Sequence, residues 1–229
     1  MLTTEEQSSV RDAIARVQQQ ASAALQTRRS AERSVDFVAV LHANIDTAIR
    51  QEIANGPKPE CKAGCSHCCS LRVEVSDPEA LKIAHYLRSK SKSALKQVRR
   101  RLEANAEFHR LRVTETGSRM ACAFLEANHC TIYAVRPATC RKAHSLSVNA
   151  CETSATVLPQ NLAIVMQCEV LIAGTNNAFR ELNLSASRLE LSAGVLAAMS
   201  TPRAAEAWYQ GAALLGTPPQ SGAGACDVA

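Results

Sequence analysis

Residues 57–71 read Pro57-Lys-Pro-Glu-Cys61-Lys-Ala-Gly-Cys65-Ser-His-Cys68-Cys69-Ser-Leu71 and divide the chain. Two prolines, a glycine and four cysteines leave neither a helical nor a strand period, so the stretch reads as a tight irregular loop. What lies before it reads as helix. No Gly or Pro occurs before Gly56, and apolar residues recur at Val10, Ile14, Val17, Ala21 and Ala24, then at Val35, Val38, Leu41, Ile45, Ile49 and Ile53. That spacing marks one helical face. Arg28-Arg29-Ser30 interrupts the stripe, giving one very long helix or two consecutive ones, and Asn55-Gly56-Pro57 stops it. Residues 1–56 are thus an N-terminal helical arm, which packs into the core or pairs with a second copy as a homodimer coiled coil.

After the loop, Leu71 to Val75 alternates like a short strand. Ser76-Asp77-Pro78-Glu79 then supplies an N-cap, an early proline and a capping-box glutamate. A helix is expected from near Asp77 with Ala80, Leu81, Ile83, Ala84 and Leu87 inward, then a second reaching about Glu115 and ended by Gly117. Residues 82–119 hold eleven Lys or Arg against three Glu. The plainer reading is a solvated helix face; the sharper is a contact surface for an acidic protein or RNA. The absence of interleaved aromatics argues against a nucleic-acid platform. Helices are expected again over 160–182 and 185–199, a short one near Pro202 and Trp208, and a disordered tail over 216–229.

At 229 residues the chain suits one domain around one core. Apolar residues make up 46% but aromatics only 3%, so the core is built from Ala, Leu, Val and Ile, which suits close-packed helices. The fold class is mostly α: the arm (1–56), a cysteine-cluster region (57–150), C-terminal helices completing the same domain (151–215) and the tail (216–229). A net charge of +5 is too small to argue for nucleic acid. Met1 to Val17 lacks the apolar core of a signal peptide, and no stretch is expected to approach the ~18 apolar residues of a membrane span. The expected compartment is the cytoplasm, with no membrane partner.

Ten cysteines in a reducing compartment point to metal or redox chemistry rather than disulfides. Cys61, Cys65 and Cys68 share one loop in which Gly64 provides a bend, so three ligands can converge there. Structural zinc takes four tetrahedral ligands, usually from separated segments. The second group, Cys122-x7-Cys130-x9-Cys140, has spacings too wide for local chelation, so closure depends on the fold. Cys68 and Cys69 diverge as neighbours, and one of them is read as serving a second metal, a redox function or packing. A two-site or multinuclear arrangement stays open. An iron–sulfur cluster also takes four thiolates, and Cys61-x3-Cys65-x2-Cys68 matches the spacing used by radical enzymes that employ S-adenosylmethionine. Those enzymes need alternating strands and helices, whereas almost no strand is expected after Val75, so that fold is rejected. His67, His129 and His144 flank the cysteines and could replace a thiol or hydrogen-bond one, though exposed loop histidines are the plainer reading. His42, His85 and His109 are expected on helix surfaces.

Taken together, Cys61-x3-Cys65-x2-Cys68-Cys69, Cys122-Ala-Phe-Leu, Cys130-Thr-Ile-Tyr and Arg136-Pro137-Ala-Thr-Cys140-Arg141 resemble the YkgJ-type cysteine-cluster family. The resemblance covers residues 61–141 and implies a zinc- or iron-chelating domain without supplying a reaction. It implies metal positions at Cys61, Cys65, Cys68, Cys69, Cys122, Cys130 and Cys140, with Cys151, Cys168 and Cys226 outside the motif. Arg136, Pro137 and Arg141 match as well: a guanidinium would offset thiolate charge, and Pro137 would stiffen the turn presenting Cys140. Phe124, Leu125 and Tyr133 read as wedges packing the second loop; Ala123 stands where family sequences often have Pro. The expected function is metal binding, by zinc or alternatively an iron–sulfur cluster or iron. Flagellin lysine methylases carry a similar cluster, which implies an alternative as an iron–sulfur redox enzyme or transferase; a metal carrier is the third reading. Against an enzyme stand the lack of a Gly-rich nucleotide loop and of a clear acid–base constellation.

Overall fold

The polar break before Ser30 is a true helix boundary. A computed structural model describes residues 3–28, 30–111, 119–155 and 157–215. α1 (Thr4–Gln26) starts from a reciprocal Thr3–Glu6 capping box. α2 (Ala31–Asp36) starts on Ser30, whose hydroxyl accepts from the Arg33 N–H, and α3 (Val38–Asn55) follows after Phe37 and stops at Gly56. Past the cysteine loop come β1 (Glu74–Ser76), α4 (Asp77–Arg88) and α5 (Lys92–Leu111). The expected end of the last helix near Glu115 and Gly117 lies outside the described residues, as do the expected tail and Cys226.

The second cysteine region contains β2 (Leu125–Glu126), β3 (His129–Cys130), α6 (Ala138–Lys142) and α7 (Val148–Glu152). It is followed by α8 (Leu162–Glu181), β4 (Arg188–Glu190), α9 (Leu191–Ser200) and α10 (Ala204–Tyr209). The fold is mostly α, with two antiparallel strand pairs, β1–β4 and β2–β3, among the described residues. One expectation needs correction: residues 185–199 are not all helix. Asp77 Oδ2 accepts the Ser187 N–H at 2.6 Å and β4 pairs with β1, so the helix starts only after Glu190, whose carboxylate accepts from Ser192 and Ala193 N–H.

The N-terminal arm packs into the core, with α1 and α3 both lying along α8. α1 and α8 touch so closely that a Cβ on Gly174 would come within 2.6 Å of Val17 Cβ and 2.8 Å of the Ile14 carbonyl oxygen. Contrary to expectation, α8 is by length and composition apolar enough to cross a membrane. Its Ile164, Cys168, Thr175, Ala178 and Phe179 are buried in the helical core.

Three apolar patches hold the elements together. Phe37, Phe179 and the fully buried Trp208 stack edge-on in the first, with Trp208 Nε1 donating to the Ser185 carbonyl at 2.7 Å. The second joins Ile83, Leu102 and Val195 to Phe124 and Ile132, anchoring the second cysteine loop on α4, α5 and α9. The third places Ala138 of α6 among Leu41, Ile45, Ile164 and Cys168 of α3 and α8. His42 and His109 are buried, not at the surface as expected; His85 is exposed. His109 continues the inward stripe Val98, Leu102, Asn105, and His42 stands beside Leu41 and Ile45 on the inward face of α3.

Candidate metal centre

The first cysteine loop bends at Gly64, which has φ +84° and no atom within 4 Å of where a Cβ would lie. Backbone conformation, not crowding, favours glycine there. The Cys65 N–H closes the turn on the Lys62 carbonyl at 3.0 Å. His67–Ser70 then form one 3₁₀ turn, in which successive side chains point roughly 120° apart.

The second loop is built around the β2–β3 hairpin, where Ala127 and Asn128 both take positive φ as a two-residue turn requires. Phe124 is buried at 1% exposure and holds the hairpin down, as expected of a wedge. Tyr133 is not a wedge: it is 61% exposed and carries the Arg136 guanidinium over its ring at 4.1 Å. The two loops are stitched by backbone. Cys122 N–H donates to the Cys69 carbonyl at 2.7 Å, and Met120 N–H to the Ser70 carbonyl at 3.2 Å. Ser66 Oγ donates to Asn128 Oδ1 at 3.2 Å, tying the hairpin tip to the first loop.

Cys140 is presented by α6, whose place is set by buried polar groups on α3 and α4. Glu79 Oε1 accepts the Ala138 N–H at 2.7 Å and faces His42 Nε2 at 3.4 Å; its Oε2 accepts from Ser76 N–H and Oγ, both at 3.0 Å. Burial opposes ionisation of this carboxyl, but the bonds from His42, Ala138 and Ser76 outweigh it and hold the group below its usual range. Arg141 is locked by Asp46 Oδ2 at 2.7 Å and by the carbonyls of Arg136 and Ala134. Its role is to clamp α6 to α3 rather than to offset thiolate charge. That second role falls to Arg136, whose charge favours the ionised form of Cys68 and, against a larger desolvation, that of Cys130, and whose buried Nε has no hydrogen-bond partner among the described residues.

All the motif cysteines lie in one connected electrostatic neighbourhood. Cys61 feels Cys65, Cys68 and Cys151; Cys69 feels Cys68, Cys122 and Cys140; Cys140 feels Cys122, Cys68 and Cys130. Desolvation raises the pKa of Cys61, Cys130 and Cys140 and pushes Cys122 up to about 11. A hydrogen bond from the Cys69 thiol, supported by Arg136 and His67, brings Cys68 down to about 6 and holds the Cys69 proton in place. The pair thus sheds its first proton readily and its second with difficulty. Cys61 and Cys68 are exposed and the other motif cysteines half-buried; soft donors that repel one another when ionised fit a cation placed among them, and thiolate sets of this kind suit zinc or iron. The unpartnered Arg136 Nε is a ready donor toward a sulfur on such an ion.

As they stand, no three Cys, His, Asp or Glu side chains among the described residues converge to hold an ion. One of the sulfurs is engaged by backbone: Cys61 Sγ accepts the Ser145 N–H at 3.3 Å. The flanking histidines differ from one another. His144 is fully engaged, with Nδ1 donating to the Lys142 carbonyl at 2.8 Å and Nε2 accepting the Asn161 N–H at 2.9 Å. His129 is exposed and donates Nδ1–H to the Ala127 carbonyl, while His67 stands 3.9 Å from Glu152. Cys168 is buried in the helical core near α3 and α6.

Fold and site together define a mostly helical cysteine-cluster protein. Residues 60–161 match the model of the CxxCxxCC family, described as "Putative zinc- or iron-chelating domain". The match runs twenty residues past Arg141 and takes in Cys151, which the motif reading had left outside. Comparisons with curated proteins and with solved structures found no match.

Proposed function

We propose that this protein binds a metal through its cysteine cluster and that the ion clasps the two loops onto a helical scaffold. The ligands are drawn from Cys61, Cys65, Cys68, Cys69, Cys122, Cys130 and Cys140. The observation that carries the reading is the stitching of the loops: the Cys122–Cys69 backbone bond brings thiols distant in sequence into one neighbourhood. When bound, the ion supplies the positive charge that keeps neighbouring thiols ionised. Zinc suits the arrangement best, since soft donors from two separated loops on a helical frame are what a structural zinc clasp uses. Arg136 would compensate the excess negative charge, and Glu79 and Arg141 would hold Cys140 in place. The exposed Lys92, Lys96 and Arg100, with the half-buried Arg99 on the same side of α5, support docking of an acidic protein. The cytoplasm is the compartment that keeps such thiols reduced.

The test is anaerobic purification with visible absorption and with zinc, iron and acid-labile sulfide content. A colourless protein with stoichiometric zinc supports the clasp. A brown protein with matching iron and sulfide replaces zinc by an iron–sulfur centre in the same cluster. Cys61→Ser or Cys65→Ser with full metal content and stability would remove the first loop from the site.

A further inference from the structure

Between β1, β4, α6 and α8 lies a cavity of about 350 Å³, a size that suits a small molecule, and no cysteine lines it. Its apolar walls are Val75, Ala138, Ile172 and Ala186. α8 contributes Glu169, Ile172 and Asn176, whose spacing puts them on one face of the helix. Asn176 is half-buried, and its side-chain amide has no hydrogen-bond partner among the described residues. A polar group that could meet that amide has therefore to come from an occupant.

The charged side chains around the cavity are unequally engaged. Lys142 is paired with Glu169, and the oxygens of Glu79 are taken by Ala138, Ser76 and His42. Arg72 and Arg188 are different. Both approach one carboxylate, that of Glu74, at 3.6 and 3.8 Å, too far for a hydrogen bond, and neither guanidinium donates to any other described residue. Two guanidiniums sharing one carboxylate at that distance keep their donors for a second acid, and a guanidinium grips a carboxylate through two parallel N–H bonds. We propose that the cavity binds a small organic acid: its carboxylate is held by Arg72 and Arg188, its short apolar chain lies on Val75, Ala138, Ile172 and Ala186, and an amide at its far end pairs with Asn176. A primary amide suits that position because it offers Asn176 both a donor and an acceptor. Inorganic phosphate would use the arginines and leave Asn176 and the apolar walls unmet.

Titration of the full-length chain with glutaramate, a short acid ending in a primary amide, tests this by NMR on isotope-labelled protein of measured metal content. Saturable shifts are expected at the Asn176 side-chain amide and at the Arg72 and Arg188 guanidinium N–H signals. Arg72→Gln and Arg188→Gln, both at exposed positions, should each weaken binding about tenfold. Asn176→Ala should weaken glutaramate but leave butyrate, which has no amide, unchanged; glutaramide, which has no carboxylate, should not bind. The absence of a saturable shift, affinity unchanged in both arginine variants, or inorganic phosphate binding as tightly as glutaramate would each overturn the proposal. A chain that holds no metal yet binds glutaramate in this way would uphold the cavity while removing the metal-binding reading.

Discussion

Glu79→Gln probes whether a buried carboxylate, rather than the cysteine loops themselves, sets the position of Cys140. The side chain is buried at the junction of α3, α4 and α6 and accepts from Ala138 N–H at 2.7 Å, from Ser76 N–H and Oγ at 3.0 Å, and from His42 at 3.4 Å. Glutamine keeps the shape and one oxygen. Its amide nitrogen, however, must face donors at whichever end it occupies, leaving at least one buried N–H unpaired. Hydrogen bonds to a charged group contribute ~1.5–3 kcal/mol, and an orphaned buried donor costs ~1–3 kcal/mol more. The 3.4 Å contact with His42 is weak, which places the expected loss near the low end, at about 3 kcal/mol. For a chain of this size that is on the order of 10 °C in Tm.

The same substitution has a pH signature. The folded carboxyl lies below its usual range, so the unfolded chain takes up its proton first as pH falls. The stabilisation is therefore complete above the unfolded value of about 4.3 and is lost as pH drops through the lower folded value. Urea unfolding followed by circular dichroism, on reduced protein at pH 7 and again at acidic pH, reads both effects. Wild type and Glu79→Gln should differ by about 3 kcal/mol at pH 7 and converge in acid. A difference under ~1 kcal/mol at pH 7, or one that does not shrink in acid, would refute the role given to this carboxylate.

Gly174→Ala forces a methyl group against Val17 Cβ at 2.6 Å, so α1 and α8 must separate; chemical denaturation should show a loss of ~1–3 kcal/mol. Trp208→Ala empties the centre of the first apolar patch and frees the Ser185 carbonyl, for an expected loss of ~3–5 kcal/mol in the same assay. Arg136→Met removes the charge beside Cys68 and Cys130 and should speed zinc loss to a competing chelator roughly 10- to 100-fold, the range for groups that support metal ligands; an unchanged rate would exclude Arg136 from the centre.

Local chemistry was legible because it acts over a few residues. The stripe from Val35 to Ile53, the Ser76–Glu79 capping box and the Gly64 bend each report a backbone conformation their own neighbours enforce. What escaped reading was every residue whose role lies across a distance. Glu79 was legible as a cap because Ser76 is three residues away, but not as the acceptor for Ala138, fifty-nine residues on. Arg136 and Arg141 share one motif and one chemistry, and only the presence of Asp46 on α3 makes the second a clamp and leaves the first to face the thiols. β4 escaped for the same reason, since its partner is β1 and its helix-like composition gave no sign of that pairing. Cys151 follows the same logic. Ser145 folds back on Cys61 and Glu60 reaches Val148, so the fold, rather than any spacing between cysteines, returns α7 and Cys151 to the first loop. A cysteine cluster of this kind is therefore specified less by its sulfurs than by the carboxylates, hydroxyls and guanidinium groups that join the segments carrying them.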